Sequence, residues 1–446
     1  MTRRNRPFQR RNVLKTIGTA ALGAAVYTGS ATAQADINVP DDYGTIQEAV
    51  NNANVGDMIE VSASGGPYNE SVDIDGPDSL TLRGVDDPTV VGDGTGSRPL
   101  ATFHVDDGNG PIRNVAIEGF TVRNPDGKFG IFAGTGTTNS NPDGIGGLVV
   151  RNNVVEDIST NSTGGSLTGG PAGIGIRGDY GTDGNPGIEI SDNEVKNVQT
   201  SSSVNAAGIT LKSFTGDAGF GRDSNGDSVS DPSSPPATDT DIRNNDISDI
   251  AGGGGSRTKG ISVSGEFEDV LIKNNSITDI SSSGSTTLAI TLTENGGSFS
   301  GNGYDIDDDG NGERIGPRNF VIERNDIDNL TGLSGRVSAL FIGGYEDLGD
   351  DHDVHFNNFL SGAVSRIFFD QDGFQEADAD VLSANCNYWG HASGPDDGDQ
   401  PQGKGQPVFG EVDYRPWSVR EIGQGENPDK SCVGGKNDDR GGGQGN

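Results

Sequence analysis

The chain has 446 residues, 72 of them Gly, with 30% hydrophobic and only 6% aromatic residues. Its 66 acidic residues against 31 basic ones give a formal net charge of −35, which argues against nucleic acid as a partner, since phosphates call for basic surface. So little apolar material also excludes one large globular core. It leaves either disorder or an elongated fold with a thin, repeated core.

At the amino end, Arg10-Arg11-Asn12-Val13-Leu14-Lys15 precedes an apolar stretch from Ile17 to Val26 and then Ala31-Thr32-Ala33. This run resembles a twin-arginine export signal with a small-x-small cleavage site, so residues 1–33 are expected to be a signal peptide. The mature protein is then expected to be secreted or at the cell surface. The apolar run falls short of the ~20 residues that span a bilayer, so no transmembrane segment is expected after signal removal. Loss of Arg3, Arg4, Arg6, Arg10, Arg11 and Lys15 would take the charge from −35 to −41. Such acidity reads as adaptation to high salt, where screening makes self-repulsion tolerable. An acidic calcium-dependent exoprotein is the alternative.

Thr45 then stands as an N-cap before a short run of helical spacing, Ile46 to Val50. Val55-Gly56-Asp57 ends that helix, and Ile59, Val61, Val72, Ile74, Leu80 and Leu82 begin a series of strands. From about residue 110 a pattern recurs: apolar, any, apolar, any, Asn or Asp, Asn, any, apolar. Its copies are Leu148–Ile158, Ile188–Val198, Asp241–Ile250, Val270–Ile280 and Phe320–Leu330, with a degenerate first copy at Val115–Val122 and a shortened one at Val354–Phe359. Between copies lies a second short strand: Gly130-Ile131, Ile174–Ile176, Ile209–Leu211, Ile261–Val263, Ile290–Leu292, Leu340–Ile342 and Ile367–Phe369.

Alternation over three to five residues gives strands with one face inward. The mid-repeat Asn153, Asn193, Asn245, Asn275 and Asn325 are expected at left-handed corners, with their amides hydrogen-bonded from coil to coil. Glycines are expected at corners and in loops. The architecture that fits is all-β, a right-handed parallel β-helix spanning 37–420, with three short strands per coil and a capping helix. About ten coils at ~4.8 Å would make a rod ~45 Å long. The tail, 434–446, is polar, Gly-rich and expected to be disordered.

The run TIQEAV, ANVGDMIEV, YNESVDI and LTLRG resembles the first coils of pectin-lyase-like proteins, pectinesterases among them. Asn385-Cys386-Asn387-Tyr388-Trp389-Gly390 with Ser393-Gly394-Pro395, and Val412-Asp413-Tyr414-Arg415-Pro416-Trp417, resemble the closing segment of secreted β-helix proteins of halophilic archaea. The resemblance implies a groove that holds polysaccharide.

Phasing the second strand places Phe132, Gly175, Thr210, Ser262, Thr291, Phe341 and Phe368 outward, then Gly134, Arg177, Lys212, Ser264, Thr293, Gly343 and Asp370, then Asp179, Glu266, Tyr345 and Asp372 among others. Long insertions leave beside this strand, so its outer face is expected to be a walled groove. Arg177, Lys212, Asp179 and Glu266 on adjacent coils are the candidate catalytic residues. Proton transfer to uronate needs a base, and its carboxylate needs a cation. Phe132, Phe341, Tyr345 and Phe368 are candidates for stacking on sugar rings, with Asp370 beside them. An ordinary solvated strand face with ion pairs is the bland alternative.

Two acidic loops have the alternate-oxygen spacing that converges on Ca²⁺: Asp223, Asn225, Asp227 and Asp231, and Asp305, Asp307, Asp309, Asn311 and Glu313. Ca²⁺ is thus the one cofactor suggested, with no organic cofactor expected. Asn141-Pro142-Asp143-Gly144 and Arg257-Thr258-Lys259 are similar to polygalacturonase motifs, but the His-bearing motif is missing. Cys386 and Cys432, an even and sparse pair in an exported chain, read as one disulfide, with two free thiols as the alternative. Two functions fit: a monomer that binds polysaccharide or cell-surface glycan and cleaves it as a lyase or hydrolase, or a non-catalytic surface or matrix protein with calcium-stabilised loops.

Overall fold

The computed structural model describes residues 36–76, 78–93, 101–105, 112–134, 145–160, 170–177, 187–201, 204–212, 239–253, 257–265, 267–283, 286–293, 316–332, 336–343, 348–349, 351–367, 381–397, 403–423 and 432–434. The predicted signal peptide, both acidic loops and residues 435–446 lie outside them. The strands form three long parallel sheets, the first and third of ten strands each. The chain is a right-handed parallel β-helix, and successive coils contribute one strand to each sheet. The first sheet runs from Ile37–Val39 to Asp353–His355, the second from Tyr68–Asn69 to Asn358–Phe359, and the third from Val72–Ile74 to Val408–Phe409.

Alternation within each strand makes the core. In the first sheet Ile117, Val150, Ile190, Ile242, Ile272, Ile322 and Val354 pair in register, one per coil. All are fully buried. At one corner the Asn ladder runs through Asn153, Asn193, Asn245, Asn275, Asn325, Asn357 and Asn387. Asn193 Oδ1 accepts from the backbone N–H and the Nδ2 of Asn153, both at 3.1 Å, while Asn193 Nδ2 donates to Val150 O at 2.9 Å. These buried amides are thereby satisfied without water. The ladder extends two coils beyond the expected members.

The expected backbone conformation of these asparagines is corrected. The left-handed residues are those just before them: Asn152, Asp192, Asn244, Asn274, Arg324, Phe356 and Cys386, with φ between 53° and 60°. The preceding residue turns the corner, which leaves the ladder Asn free to point its amide along the stack.

The glycine expectation is corrected too. Gly130, Gly173, Gly208 and Gly260 stand one per coil within the third sheet, and Ala289 and Ala339 continue the column. A Cβ at Gly208 would lie 2.5 Å from Ile247 Cγ2, and one at Gly173 would lie 2.3 Å from Val195 Cγ1. These residues serve the core. The second sheet's β-branched side chains fill the space that a third-sheet side chain would need.

Both ends of the solenoid are closed. Thr45 Oγ1 accepts from Glu48 N at 3.1 Å to cap the helix Ile46–Asn52, and the Glu70 carboxylate accepts from the N–H groups of Ile46 and Gln47, each at 3.0 Å. Ile46, Ala49 and Val50 cover the first coil. At the other end, the fully buried Trp389 packs on Phe359, with ring centroids 5.2 Å apart. A disulfide joins Cys386 to Cys432 across 46 residues of sequence, with Cα atoms 5.0 Å apart. It ties the last ladder coil to the strand Cys432–Gly434, which pairs antiparallel with Trp417–Ser418.

Candidate functional site

The strands divide the charge unevenly. On the first sheet's outer side Glu60, Arg83, Glu118, Arg151, Ser191, Arg243, Lys273, Glu323 and His355 pair in register from coil to coil. Most of these charges meet opposites. Glu118 accepts from Arg83 Nε at 2.9 Å and from Arg151 Nε at 2.6 Å. Where the column sets Arg243 beside Lys273, Glu189 and Asp241 supply the acids for Arg243, and Glu323 that for Lys273.

His355 Nε2 lies 2.9 Å from Glu323 and its Nδ1 lies 2.9 Å from Asp353. Burial opposes both ions, yet these contacts outweigh it, lifting His355 to about 9 and drawing Glu323 down to about 2. On the second sheet, Arg123 pairs with Asp157 and Lys196 with Glu194. These cations are engaged within their own sheets.

The third sheet differs. Within its ten strands Asp73 is the sole acid, against Arg177, Lys212, Arg257, Lys259, Arg336 and Arg366. Its outward positions form a grid. Three consecutive coils give Ala207, Thr210 and Lys212, then Lys259, Ser262 and Ser264, then Leu288, Thr291 and Thr293, paired in register. The column of glycines makes two successive residues face the core, so Lys259 points outward although it stands three residues from Ser262.

Lys259 Nζ donates to Ser262 Oγ at 3.0 Å, and the hydroxyls of Ser264 and Thr293 are 3.0 Å apart. Burial, and then the positive charges of Arg257 and Lys212, pull the Lys259 ammonium down to about 8. Hydroxyls from adjacent coils and the Lys259 ammonium thus lie together on one patch of the third sheet. Such a patch can hold an anion or hydrogen-bond a sugar.

Of the expected catalytic set, Arg177 and Lys212 are register partners on adjacent coils, and Lys212 pairs with Ser264. Asp179 and Glu266 lie outside the described residues, as do Tyr345, Phe368, Asp370 and every expected metal ligand. No group of three or more acidic, His or Cys side chains suited to a metal occurs among the described residues.

Phe341 lies in the expected column, half-buried. Phe132 is corrected: it is only 2% exposed and packs on Phe129, with ring centroids 4.6 Å apart. The Phe129 ring folds onto Gly175, whose absent Cβ would lie 2.8 Å from it. The two rings form a small apolar cluster with Ala101, Ala172 and Ala207 rather than standing in solvent.

The last coil is also out of the expected register. Phe341 pairs with Ser365, not Phe368, and Gly343 with Ile367, not Asp370, because the register shifts between Ser338 and Leu340. Beyond Ser365 the column ends at Phe409, which is 54% exposed. Phe409, Lys259 and Ser262 are the surface and hydroxyl groups that sequence phasing missed as a site. Lys259 could have been found from its place just before Gly260, where Phe129, Ala172 and Ala207 precede their own glycines.

The fold defines a right-handed parallel β-helix protein whose third-sheet strands hold six Lys or Arg and one acid. No protein-family model matches the chain, and no curated protein is similar to it. No helix among the described residues is long and apolar enough to cross a membrane.

Proposed function

We propose that this is an exported, salt-adapted β-helix protein that binds an acidic polysaccharide along the outward face of its third sheet. The observation that carries the reading is the charge division: the chain's net charge is −35, yet the third sheet's strands hold six Lys or Arg and the single acid Asp73. A sheet whose strands are this rich in cations, within so acidic a chain, fits an anionic partner supplied from outside. The half-buried Phe341 and the exposed Phe409, two coils apart in one column, offer rings for sugar stacking. The likeness of its first and last coils to pectin-lyase-like and halophilic β-helix proteins supports the substrate class and the export.

Lyase or hydrolase action is the sharper form of this proposal, with Arg177 or Lys212 neutralising a uronate and Asp179 or Glu266 transferring a proton. A non-catalytic surface or matrix role is the second reading. It is favoured by the hydrogen bond of the Lys259 ammonium to a neutral hydroxyl, that of Ser262. Purified protein screened in high salt against polyuronates and neutral glucans separates them. New reducing ends or unsaturated products that vanish in Arg177→Ala would support the enzyme, binding without turnover would favour the second reading, and no binding at all would sink the polysaccharide-binding face.

A further inference from the structure

Three Asn-x-Ser/Thr triplets fall among the described residues: Asn69-Glu70-Ser71, Asn274-Asn275-Ser276 and Asn329-Leu330-Thr331. A fourth, at Asn161, lies outside them. Such a triplet is the acceptor for an N-linked glycan in exported proteins. The reacting atom is the Asn Nδ2, and the coils treat that atom differently in the three places. Asn274 Nδ2 donates to Asn244 Oδ1 at 3.2 Å, on the corner just before the buried ladder residue Asn275. Asn275 N in turn donates to Asn325 Oδ1 at 3.0 Å, and Ser276 N to Asn245 O at 2.9 Å. Asn329 Nδ2 donates to Asp279, and the buried Leu330 beside it donates its N–H to Ser361 Oγ at 3.1 Å. Both amides are therefore engaged by neighbouring coils.

Asn69 stands apart. It ends Tyr68–Asn69, the terminal strand of the second sheet, which pairs on one side only, with Thr89–Val91. Tyr68 is buried and its hydroxyl donates to Ser62 O at 2.7 Å, so strand alternation turns Asn69 outward. The residue is exposed, and its Nδ2 makes no hydrogen bond among the described residues. Glu70 is pinned behind it: its N–H donates to Val91 O at 3.0 Å, and its carboxylate receives the first N–H groups of the capping helix. The triplet is thus held at a corner of the first coil, between Tyr68–Asn69 in the second sheet and Val72–Ile74 in the third. Ser71 donates its hydroxyl to the exposed Asp93 at 2.9 Å, a surface bond that water can replace.

Resting on the export reading above, we propose that Asn69 is an N-glycosylation site, filled after the coils have formed, with a polyprenyl-phosphate-linked oligosaccharide as donor. In the transfer, the bond from the sugar C1 to the phosphate oxygen breaks and a bond from C1 to Asn69 Nδ2 forms. The amide loses one proton, and the polyprenyl phosphate departs with the electron pair of the broken bond. A chain exported folded meets the transferase with its coils in place, so the acceptor must be an amide that the fold leaves free. Of the three described amides, that is Asn69.

The test is peptide mass spectrometry of the full chain purified from the cells that make it naturally, read together with its amino-terminal peptide. The peptide holding Asn69 is expected to carry a sugar mass, and those holding Asn274 and Asn329 none. Asn69→Gln and Ser71→Ala are each expected to remove that mass and Ser71→Thr to keep it. Circular dichroism of all three variants should match the parent, so that loss of the mass is not loss of the fold. An unmodified Asn69 in a chain that begins after Ala33 would overturn the site and leave the export reading intact. A sugar on Asn274 or Asn329 would overturn glycosylation of the folded chain. An unmodified Asn69 in a chain kept inside the cell with residues 1–33 attached would overturn the export reading and the site together.

Discussion

Lys259 shows how a single side chain can oppose the fold that carries it. Its ammonium is half-buried, its hydrogen bond goes to a neutral hydroxyl, and the nearby charges that act on it are Arg257 and Lys212. Folding lowers its pKa to about 8 from an unfolded value of 10.5, so between these values the unfolded chain binds more protons and stability rises with pH. Below about 8 the full penalty is present; above 10.5 it is gone. Lys259→Met is therefore expected to unfold at a higher temperature than the parent at pH 7, and the difference should shrink as the pH is raised from 8 to 10.5. Thermal melts at matched ionic strength across that range check it, and a variant less stable at pH 7 would contradict the assignment. The residue was hidden in the sequence for a physical reason. The strand parity set by Ile261 and Val263 breaks at Gly260, because two adjacent residues face the core there.

At the scale of the element, most of the architecture was legible because one stripe of Ile and Val repeats with strand alternation in every coil. The register of the third sheet was readable from Phe132 through Phe341 for the same reason. It failed at the last coil, where Val364 and Ile367 are both apolar and alternation alone cannot choose between them. The structure seats Val364 against Leu340, after a shift at Ala339 that no side-chain pattern announces.

The outward side of the third sheet was legible as a face but not as an occupied surface. Small residues at Gly175 and Ala207 let aromatic rings lie flat, and a phase count does not register that. The glycine column gives an element-scale prediction. Gly208→Val would drive a branched side chain into Ile247 and the Gly260 carbonyl, and overpacking of this kind costs about 1–3 kcal/mol or more. Denaturant unfolding should show that loss, while Ala289→Gly, in the same column, should lose less. A neutral Gly208→Val would mean that the two sheets are not held at the observed separation.

For the whole molecule, the sheets divide their tasks around the axis. The first pairs its charges internally, the Asn ladder lines a corner beside it, and the third presents Lys212 and Lys259 outward. The disulfide closes the end where the ladder stops, since Cys386 immediately precedes Asn387. Cross-linking across 46 residues contributes about 4 kcal/mol at most by chain entropy. Reduction should lower the unfolding free energy by no more than that. In a stacked fold, where each coil touches only its neighbours, hydrogen exchange should quicken first in the coils around Asn357 and Asn387. Uniform loosening of all ten coils would argue that the solenoid unfolds as one unit.

The ladder also has a direction. Each amide accepts at its oxygen from the coil before it, starting with Phe120 N, and from Asn153 to Asn357 each nitrogen donates to the Asn of the coil after it, the series ending at Asn387. Seven side-chain dipoles are thus aligned head to tail in a dry interior, where each polarises the next. The solenoid consequently has an electrical polarity along its length, distinct from the charge carried on its sides. A coil inserted backwards would break the circuit at two joints.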